Sequence, residues 1–224
     1  MMSTEATREI LIEPYGGALV DLCARPEERE ELLARAALLP RLRLTPRGLC
    51  DLELLAAGGF SPLSRFMGAA DYARVLGEMR LADGTLFPIP LTLTFRRGEP
   101  VRLDEEVALV DQFNNPLAVM RAEEVFEWDR AREARLAYGT LDPRHPLVAE
   151  MNSWGEFCVS GELRVIQPPL YYDFKSLRMT PARVRGPVGR ANAVASLQTA
   201  IGVPSLDPLA HDFGVTYSVG ALAG

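Results

Sequence analysis

Lysine is nearly missing from this sequence: 24 residues are basic, and all but Lys175 are arginine. So one-sided a choice reflects GC-rich coding and does not mark a phosphate site. Against those bases stand 30 Asp and Glu, a net charge of −6. No excess of positive charge is available to displace counterions from a polynucleotide, which argues against a nucleic-acid partner. Cysteine is scarce too. Cys23, Cys50 and Cys158 are odd in number, far apart and without a C-x-x-C pair, which argues against a disulfide framework and a zinc site. That usage fits a reduced, cytoplasmic setting. The N-terminus lacks the basic-then-apolar pattern of a signal peptide, and no run approaches the ~20 apolar residues of a membrane span. What remains is an ordinary soluble composition, 48% hydrophobic and 24% charged over 224 residues. That is enough for one large domain, or one domain and a fragment of another.

Residues 54–90 organise the rest. Gly58-Gly59 closes a helix, and Phe60, Leu63, Phe66 and Met67 follow in a loop around Ser61-Pro62 too apolar for a solvated linker. Tyr72, Val75, Leu76 and Met79 fall at i, i+3, i+4 and i+7, one face of a short helix. Asp83-Gly84 is a tight-turn pair. Leu86 to Phe95 reads as a strand, with Leu91, Leu93 and Phe95 on one face and Thr92 and Thr94 on the other.

Residues 1–9 read as a disordered start. Ile10 to Ile12 begins a strand that breaks at Gly16-Gly17, a pair that is a turn far more often than a phosphate cradle. Pro26 opens a helix with Glu27, Glu28, Glu30 and Glu31 near its positive end and an apolar stripe of Leu32, Leu33, Ala36 and Ala37, stopped by Pro40. Thr45-Pro46 caps a second helix, with Leu49, Leu52, Leu55 and Ala56 inward. Asp51 and Glu53, two apart on that helix, point to different sides and are no acid/base pair. Arg96-Arg97 sits on a polar turn. Strands at 106–111 and 117–122 form a hairpin of alternating residues suited to a barrel wall. Extended chain follows to Trp128, then a helix from the Asp129 cap to Tyr138, ended by Gly139. Pro146 starts the next helix, with Val148, Met151 and Trp154 apolar, and His145 is assigned a structural hydrogen-bonding role. Residues 157–167 read as two strand pieces around Ser160-Gly161, and Pro168 to Phe174 as a stiff aromatic connector.

Three separated blocks, Gly-Gly-Phe-Ser-Pro-Leu from Gly58, Phe-Met-Gly from Phe66 and Met-Arg-Leu-Ala-Asp-Gly-Thr-Leu-Phe-Pro-Ile-Pro from Met79, resemble the N-terminal domain of ATP sulfurylase (sulfate adenylyltransferase) and stand in that family's order. The opening Ile-x-Pro-x-Gly-Gly-like block and the Gly139 to Pro146 connector resemble the family as well. Residues 147–151 and 172–174 look most like its bacterial branch fused to adenylylsulfate kinase. The resemblance implies an α+β fold: a PUA-like β-barrel with flanking helices over 10–167, a connector over 168–176, and at 177–224 a vestige of an α/β nucleotide-binding catalytic domain with an irregular tail. For the intact family it implies ATP and sulfate as substrates, magnesium with the nucleotide, and oligomerisation through sulfurylase-like surfaces.

The likeness fades at the catalytic motif Gln-Thr-Arg-Asn-Pro-x-His-Arg-x-His. Gln198 and Thr199 match it and are the candidate substrate-binding residues, but Ala200 and Ile201 stand where arginine and asparagine belong. His211 does not restore the spacing, and no catalytic residue and no metal ligand is assigned. A frame shift after Thr199, a truncation and a true divergence all fit such a sequence. The reading is therefore the N-terminal part of a sulfate adenylyltransferase, inactive as this chain. A stand-alone PUA-like RNA-binding domain and a non-catalytic partner of an intact sulfurylase are the alternatives.

Overall fold

The computed structural model describes residues 13–169 and 179–185. Helix α1 (Pro26–Leu38) leads into β1 (Arg41–Arg43), then α2 (Pro46–Ala56) and α3 (Ala69–Glu78). Strands β2 (Leu93–Phe95), β3 (Glu106–Val110) and β4 (Pro116–Glu127) follow, then α4 (Arg130–Tyr138), α5 (Pro146–Met151) and β5 (Phe157–Val165). The strands make one five-stranded sheet in the order β1-β3-β4-β5-β2, antiparallel except where β1 runs parallel to β3.

The sheet is covered on both faces. Ala108, Val110, Val119 and Ile166 meet α1 through Ala36, Leu32 and Leu33. Val107, Leu109, Leu117 and Met120 face the main core, which α2, α3 and the 60–67 loop fill with Leu52, Leu55, Phe66, Met67 and Val75. Two-sided burial is why Val107 to Val110 reads as an unbroken apolar run.

Sequence and structure agree closely at the helix ends. Thr45 accepts the Gly48 amide at 3.0 Å and Asp129 accepts that of Arg132 at 2.9 Å, each with its side-chain oxygen. Gly139 closes α4 at φ 70°. The face of Leu91, Leu93 and Phe95 is buried as expected.

The differences have physical causes. The strand expected over 86–95 is confined to Leu93–Phe95, because Pro88 and Pro90 have no amide hydrogen for a ladder. Leu86 instead bridges Arg80 across the Asp83-Gly84 turn. Met79 leaves its expected face: α3 ends at Glu78, and Met79 caps it in the left-handed region at φ 54°, exposed to solvent. Ala37 likewise lies outside the buried stripe of α1. Strand β1 escapes sequence reading because Arg-Leu-Arg is three residues long and has one inward side chain.

The two expected pieces around Ser160-Gly161 are one strand. A register shift in β4 between Ala122 and Glu124 lies opposite Gly161, where an added Cβ would sit 1.8 Å from the Arg121 carbonyl oxygen. Glycine here admits the backbone of a bulge instead of breaking the strand. The expected start at 1–9 lies outside the described residues. So does the connector beyond Pro169. Of the expected nucleotide-binding vestige at 177–224 only 179–185 are described. There the Thr180 hydroxyl accepts the Arg183 amide at 3.3 Å, capping the helical turn that Pro181 opens.

Candidate functional site

Gln198 and Thr199, the substrate-binding residues read from sequence, lie outside the described residues. Within them, unusual chemistry gathers where α2, α3, α4 and α5 meet the end of β4, around Glu133 and Arg47. Glu133 is 1% exposed. One of its carboxylate oxygens accepts the Trp128 indole N–H at 2.6 Å and the Tyr72 hydroxyl at 2.9 Å. Burial raises the Glu133 pKa, working against the two hydrogen bonds. Burial and the facing Glu133 carboxylate raise that of Tyr72.

Trp128 stacks on Trp154 with ring centroids 5.4 Å apart, and the Arg47 guanidinium lies 5.1 Å from the Trp154 ring centre. Arg47 also donates to Asp51 at 3.3 Å, to the Tyr138 hydroxyl at 3.4 Å and to the Pro90 carbonyl at 3.3 Å. Burial opposes its charge, but Asp51 and Tyr138 outweigh it and hold its pKa above the ordinary value. Asp51 goes the other way. Burial pushes its carboxyl up to about 6 in spite of Arg47.

Perturbed, mutually bonded groups of this kind mark active sites when they line a cleft. Glu133 and Asp51 line none, and Arg47 and Trp154 edge only a crevice of about 10 Å³ with Thr45, Thr92 and Thr94, too small for a substrate. Glu133 spends its bonds on two core aromatics, and Arg47 ties α2 to residues 90 and 138. The cluster clamps helices to the sheet, and sequence reading missed it as a unit. The Arg47–Asp51 spacing of four on a helix was a legible ion-pair signal. Glu133 gave none, because α4 reads Arg-Ala-Arg-Glu-Ala-Arg, charged on every side.

The weaker candidates also resolve. The Gly17 amide is spent on the Pro14 carbonyl at 2.8 Å, and a Cβ at Gly16 would lie 2.6 Å from Pro62, so that pair is a packed turn. Arg96 donates to the Ser153 carbonyl at 2.6 Å and Arg97 lies over the Phe157 ring, pinning their turn to β5. The hydrogen-bonding role expected of His145 is corrected: its ring stacks on Tyr138 at 5.4 Å, and its buried Nδ1 has no hydrogen-bond partner. Among the described residues no group of His, Cys, Asp and Glu could hold a metal ion. No described helix is long and apolar enough to cross a membrane.

Comparison with known proteins adds what this geometry leaves open. The PUA-like domain family matches residues 12–168. The sulfate adenylyltransferase of Symbiobacterium thermophilum is 42% identical over 207 residues, 90% of this chain and 51% of that protein. That of Halothermothrix orenii is 36% identical, covering 91% of this chain and 53% of its own. That of Saccharomyces cerevisiae is 40% identical, over 77% of this chain and 35% of its own length. A solved structure described as a hexameric APS kinase from Thiobacillus denitrificans superposes with a TM-score of 0.64 at 35% identity, over 81% of this chain and 32% of that one. The chain thus spans about half the length of its bacterial relatives, and what it matches is their N-terminal portion.

Proposed function

Since the chain belongs to the PUA-like domain family and matches the N-terminal portion of sulfate adenylyltransferases, we propose that it is the non-catalytic N-terminal module of such an enzyme. The parent reaction joins ATP and sulfate to give adenylyl sulfate and pyrophosphate, the entry step of sulfate assimilation. The observation that carries the reading is the span of the match, 90% of this chain against 51% of the Symbiobacterium enzyme. In that reaction a sulfate oxygen attacks the α-phosphorus of ATP while pyrophosphate departs. Phosphate oxygens that gain charge must meet fixed donors and cations.

Gln198 and Thr199 keep the start of the nucleotide and sulfate motif. Ala200 and Ile201 can give no side-chain hydrogen bond to either oxyanion. The described polar cluster cannot substitute, because its donors are engaged within the core. Magnesium would accompany the nucleotide on the remainder of the enzyme, and no described residue set suits it. The setting we assign is cytoplasmic, and the hexameric neighbour supports assembly through surfaces of this domain. Its kinase description also favours the branch fused to adenylylsulfate kinase. The net charge of −6 speaks against the RNA-binding alternative.

Sulfate-dependent pyrophosphate release tests the assignment. Joining the downstream half of the Symbiobacterium enzyme after Thr199 should confer turnover. Ala200→Arg with Ile201→Asn alone should not. Turnover from the double substitution would overturn the reading.

A further inference from the structure

Behind the Glu133 cluster, α4, the 139–145 connector and α5 enclose a cleft of about 290 Å³, near the lower end of small-molecule sites. Its floor and walls are Ala134, Val148, Leu141 and Pro143, and its polar groups are Arg130 and Asn152. The cleft is preformed. Glu133, on α4, is held by Trp128 and Tyr72. The connector is tied by Gly139 N–H to the Arg135 carbonyl at 3.1 Å, Asp142 N–H to the Thr140 hydroxyl at 3.0 Å and His145 N–H to the Asp142 carbonyl at 3.0 Å. Stacking of Tyr138 on His145 closes the loop at its two ends.

Arg130 is the one charged residue that lines this cleft. Of the four carboxylates on or capping the elements around it, Asp129 accepts the Arg132 amide at 2.9 Å, Asp142 accepts the Arg144 guanidinium at 2.7 Å, Glu133 is spent on Trp128 and Tyr72, and Glu150 on α5 does not line it. Arg130 makes no ion pair and no side-chain hydrogen bond among the described residues. A guanidinium beside an apolar floor, with an amide on the rim, complements an anion that carries an apolar body. It repels cations and gives a bare inorganic anion nothing to bury. We infer that the α4–α5 cleft binds a small organic carboxylate of about the size of benzoate, with the acid on Arg130 and Asn152 and the apolar part on Ala134 and Val148. The inference does not depend on the sulfurylase assignment.

Amide-resolved NMR titration of the full chain with benzoate tests it, with benzamide and sodium sulfate as separate arms. Benzoate should shift amides in 130–134 and 141–152 saturably, at a Kd of about 1 mM. Benzamide and sulfate should each bind at least about tenfold more weakly. Arg130→Ala should weaken benzoate by about tenfold or more, and Arg130→Lys should recover part of it. Ala131 is an exposed lining residue, so Ala131→Leu should block benzoate while the rest of the spectrum keeps its dispersion. Shifts that fail to saturate, that scatter over the surface, or that survive unchanged in folded Arg130→Ala would overturn the inference.

Discussion

Asp51 is a buried carboxyl whose protonation state bears on the stability of this fold. Its carboxyl, 7% exposed, is pushed up to about 6 chiefly by burial, although Arg47 lies 3.3 Å away. A folded pKa above the unfolded one favours the protonated native state. The contribution is therefore fully present below about pH 4 and lost as pH rises through about 6. Two pH units correspond to about 3 kcal/mol. Chemical denaturation of wild type and Asp51→Asn from pH 4 to 7 should show a difference in stability that changes across that window and is flat on either side. Equal slopes for both proteins would refute the assignment. Glu133 presents the complementary case. Glu133→Ala strands a buried indole N–H and a buried hydroxyl, which should cost about 2–5 kcal/mol. Glu133→Gln, which keeps an acceptor and the volume, should cost less. A loss in Gln as large as in Ala, by denaturant titration, would mean the hydrogen bonds are not what Glu133 supplies.

Elements were legible where one rule governed them and illegible where two rules met. Helix α2 announced itself through the Thr45 cap, Pro46 and four apolar positions at helical spacing. The stretch before β2 was apolar enough for a strand, but prolines at 88 and 90 overrode the pattern. Met79 kept the helical period while the helix beneath it ended. Gly161 has the sharpest consequence. Read locally, a glycine weakens a strand; in the fold it is the one residue that lets β5 pass the β4 bulge, with Arg121 O at 1.8 Å from any added Cβ. Gly161→Ala should therefore cost about 3 kcal/mol or more, since rigid backbone would have to move. A thermal melt unchanged from wild type would show that the two strands can part without penalty. The Glu133 cluster was not readable, because its partners Tyr72 and Trp128 lie 61 and 5 residues away in sequence and only the packing brings them together.

For the molecule as a whole, family membership and the candidate substrate residues lie in different parts of the chain. The resemblance of residues 58–90 to sulfurylases was readable directly, and the family match over 12–168 agrees with it. The candidate substrate residues Gln198 and Thr199 belong to the part of the chain outside the described residues. The described domain offers helices clamped on a sheet by buried polar groups, and no set of side chains arranged around a phosphate. Under the proposed reading, such a domain does not perform adenylyl transfer. The decisive measurement is pyrophosphate release by the purified 224-residue chain, supplied with ATP, magnesium and sulfate beside an intact sulfurylase. Even one missing oxyanion donor costs on the order of 10²–10³ in rate, and the side chains of Ala200 and Ile201 can supply none. The account predicts no sulfate-dependent release above background. Release near that of the intact enzyme would contradict it and place the active site within this chain.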